Sequence, residues 1–450
     1  MEEKLFNLLL LLLLPAQLKE ALDLHPSVIT AKKNVEISEL NFSKSEYQLL
    51  NPLLSTSGSR SDNESSVNFD TSESTNLNAS ISWLTRRGYS FSFRLNNGES
   101  LYNSSIGGIS DNYSLSSSIS LSYPLFSEKR EARLSSLDIS AFSTMKTHID
   151  YDATLNQAAY DVISRFWECL IFEENLNLTK LSLEESLQQE AQIKAKIEAG
   201  ILSESEIYSY LNRTLQQEAS AIDAEISLQE CTEQANLLFG REIPKEWFQL
   251  VKSITFEEIT SYPEEAFQTT DVEKSEIDLK IGEINLINSY SQDLADFDLS
   301  LNYGLNANSS TQTSFSDLEN PNWSISVTWS KRLGNKKYNQ RESEINFDNL
   351  KFMFERTLDN TLLTERSLTN QVKSIENLLT ASESGVKAAE KAYERIKARW
   401  EVGLATSLEL FTLENSLLSA KMSLLTTRKN LLLSKANLSR FRGSLVSEKE

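Results

Sequence analysis

An internal duplication constrains this sequence more than any other feature. When the chain is shifted by 203 residues, IKAKIEAGILSESEIYSYLN from Ile193 aligns without a gap with IKARWEVGLATSLELFTLEN from Ile396. The match continues to Gly240 against Gly443, and a weaker match after one gap pairs EALDLHPSV with EAFQTTDV. The fold is therefore expected to contain two copies of one structural unit.

Each copy has the same order of elements: a helix, a strand region, a long helix, a glycine-marked turn and a second long helix. The first copy covers residues 19–240 and the second 265–443, with a linker over 241–264 and a tail over 444–450. Because 450 residues contain only 13 Gly and 7 Pro, long uninterrupted elements are expected. The predicted helices span about 19–50, 127–200, 204–240, 265–294, 337–402 and 406–442, and the predicted strand regions span about 53–126 and 297–331.

The long helices carry apolar stripes that predict packing against neighbouring helices. From Val372 to Trp400 the stripe steps alternately by three and four residues, and after Gly403 it resumes with a spacing of seven. The second part of the stripe consists of Phe411, Leu418, Leu425 and Leu432. This spacing is typical of coiled coils, on both sides of a turn.

The strand regions alternate with a period of two, as the run from Tyr113 to Tyr123 illustrates. Apolar residues there are interleaved with serines, so one face of the strand is apolar and the other carries hydroxyl groups. The same pattern recurs in 77–83, 89–95, 297–305 and 323–329. A soluble sandwich also alternates, but uncharged polar faces and aromatic residues at strand ends favour a membrane barrel. The polar segment SDNESSVNFDTSES from Ser61 is expected to be an exposed loop.

Composition and the N-terminus restrict the function classes. Residues 1–18 contain an apolar run from Leu5 to Leu14, which indicates either a signal peptide or a short buried helix. A formal net charge of −20 argues against a nucleic-acid partner. With two Cys, two His and no motif for phosphate binding or nucleophilic catalysis, we expect no metal site, no cofactor and no enzymatic activity.

The duplicated order of elements resembles the outer-membrane efflux protein family typified by TolC. The segments that carry the resemblance are HPSV at His25, YPLF at Tyr123, EAGILSESEIY, EVGLATSLELF, and WSKRLGNKK from Trp329. The resemblance implies an α+β membrane protein in the outer membrane of a diderm bacterium. It implies a homotrimer in which a transmembrane β-barrel continues into a long periplasmic α-helical barrel of coiled-coil hairpins. It also implies outer-membrane lipid, a periplasmic adaptor protein and an inner-membrane transporter as partners.

The same resemblance assigns roles at the two glycine-marked turns. The Val-Gly-Leu motif at which the family docks its adaptor matches Val402, Gly403 and Leu404, and the first copy carries Ala199, Gly200 and Ile201 at the equivalent positions. Glycine would let the backbone turn there and approach a partner closely. The alternative is that each glycine only ends a helix.

Acidic residues beyond the glycines match the pore constriction of the family. Glu206 and Glu409 occupy equivalent positions in the two copies, and a threefold ring of carboxylates would favour cations. The alternative is a solvated helix face. This sequence departs from the family at three positions: a second acidic position is Thr412, an arginine that helps to close the tip is Ala405, and its aromatic partner is Trp400. The resemblance therefore supports only one acidic ring and does not carry over the closing contact.

Two further features extend beyond the resemblance. The first copy indicates four strands rather than two, through an extra hairpin around ISWLTRRGYSFSF from Ile81, and this hairpin either widens the barrel or lies outside it. Cys169 and Cys231 each lie 31 residues from Gly200, which places them at similar height on an antiparallel helical hairpin. In an oxidising periplasm they would form either a disulfide or two separately buried thiols.

The predicted function is the outer-membrane channel of a tripartite efflux or type I secretion system. One alternative is a structural or adhesive coiled-coil surface protein, which would have neither a duplicated strand region nor glycine-centred hairpin tips. The other is a passive porin-like channel, which would need many more strands. The sequence does not distinguish among drugs, metals and proteins as the transported substrate, because their export uses similar channels.

Overall fold

A computed structural model describes residues 16–64, 71–104, 108–200, 203–240, 242–244, 269–311, 314–331 and 338–446. Most of the expected signal segment, most of the linker, the strand-to-helix exit at 332–337 and the end of the tail lie outside the described residues. Ile201 and the side chain of Glu206 also lie outside them.

The elements follow the order expected from the sequence. The first copy forms helices α1 (Ala16–Leu24) and α2 (Pro26–Leu50), strands β1 (Leu53–Glu64), β2 (Thr71–Leu84), β3 (Ser90–Ser104) and β4 (Gly108–Pro124), and helices α3 (Ser127–Glu198) and α4 (Glu206–Phe239). The second copy forms helix α5 (Thr270–Asp293), strands β5 (Asp296–Ser309) and β6 (Asn320–Ser330), and helices α6 (Tyr338–Glu401) and α7 (Ser407–Phe441), with a short 3-10 turn at Phe315–Asp317.

Two compact units divide the chain. One comprises residues 1–34, 148–273 and 356–450, and the other comprises 35–147 and 274–355. Over the described residues the first unit is helical, whereas the second contains six strands together with segments of α2, α3, α5 and α6.

The second unit holds one antiparallel sheet with the strand order β1-β2-β3-β4-β5-β6. The expectation of an exposed loop from Ser61 is wrong at both ends of that segment, because Ser61–Glu64 belong to β1 and pair with Thr71–Ser74 of β2, while residues 65–70 lie outside the described residues. Cross-strand contacts account for the extension. The hydroxyls of Ser61 and Ser74 are 2.8 Å apart, and Arg60 donates to Glu73 over 3.1 Å.

Ion pairs join the sheet to the helices of the second unit. Lys129 at the start of α3 contacts Asp296 at the start of β5 over 2.7 Å, and Arg133 contacts Asp298 over 3.3 Å. The turn between β2 and β3 packs on α3 through Gly88, whose φ is +78°. A Cβ at Gly88 would lie 2.9 Å from the Cβ of Arg130, so this close approach requires glycine.

The first unit is built from the long helices of both copies. Its main core contains fully buried Ala158, Val162, Phe166 and Leu170 of α3 together with Ala436 of α7. A second core lies at the turns of the two helical hairpins and is described below. None of the helices in the described residues is long and apolar enough to cross a membrane.

Candidate functional site

The turn between α6 and α7, here called the second tip, is fixed by Gly403. Its φ of +75° lies in the left-handed region, where a Cβ would be strained. The N–H of Gly403 donates to the carbonyl of Trp400 over 3.0 Å, and the N–H of Leu404 donates to the carbonyl of Arg399 over 2.8 Å. This pair of bonds is a Schellman motif, so the glycine ends α6 and reverses the chain.

The turn between α3 and α4, the first tip, has the equivalent glycine in the same conformation. Gly200 has a φ of +72°, and its N–H donates to the carbonyl of Ile197 over 2.9 Å. Both glycines therefore end a helix. This is the role that the alternative to adaptor docking assigns to them. A Cβ built on either one would meet nothing within 4 Å, so neither packing nor crowding inside the chain requires glycine there.

Apolar side chains point into solvent at the second tip. Val402 and Leu404 are each 68% exposed, and Leu408 at the start of α7 is 74% exposed. An open cleft of about 700 Å³ lies between the two tips and is lined by Lys196 and Tyr210 on one side and Val402, Gly403 and Leu408 on the other. Such a group of exposed apolar residues is typical of a protein interaction site.

Glu409 has a local role that the sequence analysis did not assign. It forms a capping box with Thr406: the Thr406 N–H donates to the Glu409 carboxylate over 2.8 Å, and the Glu409 N–H donates to the Thr406 hydroxyl over 3.3 Å. The bonds from the Thr406 backbone and hydroxyl lower the pKa of the Glu409 carboxyl. This exposed carboxylate is therefore ionised at neutral pH and held at the first turn of α7.

The two helical hairpins contact each other through an aromatic cluster below the tips. Tyr210 of α4 is buried, and its hydroxyl bonds Ser407 of α7 and accepts the indole N–H of Trp400 over 3.2 Å. The ring of Phe411 packs edge-on against Tyr210 at 5.1 Å. Trp400 thus joins α6 to the first hairpin, while Ala405 packs at the margin of the same cluster.

A buried ion pair lies next to the cluster. Arg213 of α4 pairs with Glu414 of α7, and both side chains are buried. Arg213 also donates to Gln189 of α3 over 2.7 Å, and its guanidinium lies 3.9 Å from the ring centroid of Phe411. Ser182 of α3 donates to Glu414 over 3.3 Å. The pair therefore connects both helices of the first hairpin to the second.

The sulfur atoms of Cys169 and Cys231 are bonded in the structure, with the Cα atoms 5.6 Å apart. The bond joins α3 to α4 within the first hairpin. At the equivalent positions of the second copy stand Val372 and Ser434, both buried. The described residues contain no group of three or more His, Cys, Asp or Glu residues that could hold a metal ion.

The sheet of the second unit has two chemically different faces. Residues that lie side by side on its apolar face, at the same height across all six strands, are Leu54, Ile81, Phe93, Ile119, Tyr303 and Trp323. One residue further along, the opposite face carries Ser82, Ser92, Ser120, Asn302 and Ser324. Serine hydroxyls bond across strands on the polar face, as between Ser92 and Ser120 at 2.5 Å. Much of the apolar face is exposed to solvent in the single chain.

Neither a protein-family model nor a curated protein sequence matches the chain. Solved structures do match over nearly its full length. CusC, whose structure comes from a study of transmembrane channel formation, superposes on this chain with a TM-score of 0.68 at 13% identity. The match covers 95% of this chain and 92% of CusC. The outer-membrane protein VceC of Vibrio cholerae superposes with a TM-score of 0.67 at 14% identity, and the match covers 96% of this chain and 97% of VceC. The MtrE outer-membrane channel of Neisseria gonorrhoeae superposes with a TM-score of 0.65 at 14% identity, and the match covers 96% of this chain and 89% of MtrE.

The chain has the fold of TolC-type outer-membrane channels. The fold that the duplicated motifs implied is thus confirmed. In this chain the two tips, the sheet and the helical hairpins arise from a single polypeptide. The trimer, the closed barrel and the roles of the tip residues stay predictions.

Proposed function

We propose that the protein is an outer-membrane channel of an efflux or secretion system. Three copies contribute strands to one barrel and helices to one tunnel, through which exported molecules leave the cell. The observation that carries this proposal is the exposed apolar face of a sheet whose other face is lined by hydroxyl and amide groups. Exposure of such an apolar face to water is unfavourable, whereas contact with lipid is not.

The height of the apolar face fits a bilayer. It extends along the sheet from Phe297 and Trp329 to Leu77 and Leu115, a distance of ten residues in the strand register. At about 3.3 Å per residue and a strand tilt of about 40°, this corresponds to a band about 25 Å tall. Beyond the band the same face carries charged side chains, among them Glu99, which suit an aqueous boundary.

The tips are proposed as the docking site of a periplasmic adaptor, which connects the channel to an inner-membrane transporter. Val402, Gly403 and Leu404 supply an exposed apolar surface on the second tip, and Ala199, Gly200 and Ile201 occupy the equivalent positions on the first. A backbone without a side chain at each glycine would let an adaptor helix approach closely. The open space beside Gly403 supports this role.

Glu206 and Glu409 are proposed to form the acidic constriction of the trimer. The bonds from Thr406 lower the pKa of Glu409, which would oppose the rise in pKa that repulsion among three carboxylates causes in such a ring. The capping box holds the Glu409 carboxylate of each copy at the start of α7. A ring of fixed negative charge would select cations.

A pair of adjacent residues tests the proposal. Ile119 lies on the apolar face of the central strand β4, and Ser120 lies on the polar face. In a membrane barrel, Ile119→Lys places a charge in lipid at a cost of about 2–4 kcal/mol, whereas Ser120→Lys places it in water. We expect the first variant to be lost from the outer-membrane fraction and the second to be retained there as a detergent-extractable trimer with channel conductance in planar bilayers.

Two outcomes would refute the proposal. One is a wild-type chain that purifies without detergent as a water-soluble monomer. The other is equal accumulation of both lysine variants, which would indicate that both faces of the sheet are in water. Either result would favour a structural or adhesive surface protein.

A further inference from the structure

The two edge strands of the sheet are similar in length and opposite in direction. Within the described residues, β1 pairs only with β2 and β6 only with β5. The edges comprise 12 residues in β1 and 11 in β6. Because every neighbouring pair in the six-stranded sheet is antiparallel, β1 and β6 run in opposite directions and could themselves form an antiparallel pair between two copies.

Both edges expose apolar side chains together with unpaired backbone groups. Trp323 of β6 is 73% exposed and Trp329 is 62% exposed, while Leu54 of β1 is 66% exposed. In lipid, an open edge leaves unsatisfied N–H and C=O groups, which is strongly unfavourable because no water is present to bond them. A long, apolar edge exposed to water is also a liability, because it templates aggregation. Each edge therefore needs a strand to cover it.

We infer that β6 of one copy pairs with β1 of the next, so that all six strands of each chain belong to the barrel wall. Together with the trimer of the proposed function, on which this inference rests, the wall then contains eighteen strands. The extra hairpin of the first copy is part of this wall and does not lie outside it.

The stagger of the strands supports a closed wall. Leu53, the first residue of β1, lies in register with Ser324 of β6 when the pairing is followed across the sheet, and β6 then continues for six more residues to Ser330. Strand ends on the helix side are thus displaced by six residues over five strand steps. With about 3.3 Å per residue and about 4.8 Å between strands, this displacement corresponds to a tilt of about 40°. Closed barrels have tilts of about 35–45°.

Facing residues of paired strands share one side of a sheet, which limits the register of the new pair. The apolar Leu54 must oppose a residue on the apolar face of β6. The displacement of the strands that accumulates from β1 of one copy to β1 of the next is therefore an even number of residues. The two values nearest the observed stagger are about six and about eight, which give tilts of about 35° and about 43°. In these two registers Ser57 opposes Ser326 or Thr328, all of them on the polar face.

The competing arrangement is a barrel that closes on β3 and leaves β1 and β2 outside. It would have to break the ladder between β2 and β3, which runs continuously from Leu84–Ser90 to Thr71–Asn103. It would also separate Trp83 from Phe91, whose rings are 4.2 Å apart. Closure of four strands per chain would give a backbone diameter of about 24 Å, against about 36 Å for eighteen strands.

Cysteine pairs distinguish the two arrangements. We expect Ser57→Cys combined with Ser326→Cys or with Thr328→Cys to yield covalent trimers when membranes are treated with a short thiol-specific crosslinker. Single-cysteine variants control for the native Cys169 and Cys231. Ser57→Cys with Ile325→Cys, which places the second thiol on the opposite face, is the matched negative control.

Two results would overturn the shared wall in a protein that is still a trimer in detergent. The first is a covalent trimer formed by Ser92→Cys with Thr328→Cys or Ser330→Cys, which would place β3 beside β6. The second is the absence of crosslinking in both Ser57 pairs. A detergent-extracted monomer, measured by light scattering, would instead refute the trimer of the proposed function and the shared wall with it.

Discussion

The guanidinium of Arg213 and the carboxylate of Glu414 form a buried ion pair that joins the first helical hairpin to the second. On α3, Gln189 accepts a hydrogen bond from Arg213, and Ser182 donates one to Glu414. A buried charge is costly unless it is paired and hydrogen-bonded, and here each charge satisfies the other. A displacement along the helices would leave two unpaired charges inside the protein, so we expect the pair to favour one alignment of the hairpins.

Arg213→Met should destabilise the protein strongly, since it leaves Glu414 buried without a counter-charge. The expected cost is about 3–5 kcal/mol, and Arg213→Met with Glu414→Met should recover part of it. Arg428→Met is the matched control, because Arg428 contacts Glu383 over 3.4 Å with both side chains about half exposed. That variant should lose at most about 1 kcal/mol. Thermal unfolding followed by circular dichroism in detergent would check this, and equal midpoints for Arg213→Met and Arg428→Met would contradict it.

The bond between Cys169 and Cys231 closes a long loop, so its removal should lower stability. For a sequence separation of 62 residues, the chain-entropy model gives about 4 kcal/mol. Cys169→Val with Cys231→Ser is the appropriate variant, because it reproduces the pair found at the equivalent positions of the second hairpin. We expect a lower unfolding midpoint for it, and no alkylation of the wild-type thiols until a reductant is added. Complete labelling of unreduced protein from the cell would disprove the bond.

The duplicated pattern predicts the elements well, because their periodicity depends on burial along whole helices and strands. The stripe of α6 is an example: Val372, Val386, Tyr393, Ile396 and Trp400 are all buried. The stripe of α7 was less informative. Phe411, Leu418, Leu425 and Leu432 are only half-buried, whereas Glu414, Thr427 and Ser434 are buried. Polar residues that pack between hairpins leave no apolar period in the sequence.

The tips show the same contrast. The glycines are readable from the sequence, because two turns between long helices demand a left-handed residue. The capping box at Thr406 and Glu409 matches a Thr-x-x-Glu motif in the sequence, although only a pore charge or a solvated helix face was predicted for Glu409. By contrast, the pairing of Arg213 with Glu414 depends on how two hairpins far apart in the sequence pack together. No local pattern indicates it.

Glu409→Gln should separate the capping role of Glu409 from its proposed role as a pore charge. Glutamine at this position can still accept the bond from the Thr406 N–H, so the stability of the protein should change little. The preference of the channel for cations should nevertheless fall, because the ring loses its charge. Thr406→Ala is the complementary variant: it keeps the charge but loses the cap, at about 1 kcal/mol. Reversal potentials in a salt gradient would measure selectivity, and an unchanged potential in Glu409→Gln would exclude the acidic ring.

Glu365 should make stability depend on pH in the opposite direction from a surface carboxylate. Burial raises the pKa of its carboxyl, although Arg442 donates to it over 2.7 Å and opposes the shift. The folded state therefore holds a proton on Glu365 more readily than the unfolded state. This contribution to the unfolding free energy falls as the pH rises from the unfolded pKa through the folded one. Glu365→Gln keeps an acceptor for Arg442 without the charge, so it should stabilise the protein at pH 7 and lose that advantage towards pH 4. A stability difference that is independent of pH would contradict this.

Gly403→Asn should stop export without unfolding the second tip. Asparagine adopts the left-handed conformation more readily than most residues, and a side chain at position 403 meets nothing within 4 Å in this chain. The new side chain would therefore interfere only with a docked adaptor. Gly240→Asn is the matched control, because Gly240 has a φ of +66° and equally open surroundings but lies at the other end of α4. Gly403→Pro with Gly200→Pro is a poorer test, because proline fixes φ at roughly −65° and cannot adopt the positive φ of either glycine, so it would disrupt both turns as well as any docking. Export would be measured in a strain that depends on this channel, with trimer abundance as the reference. If Gly403→Asn exports as well as Gly240→Asn does, the glycine serves only to end the helix and the adaptor docks elsewhere.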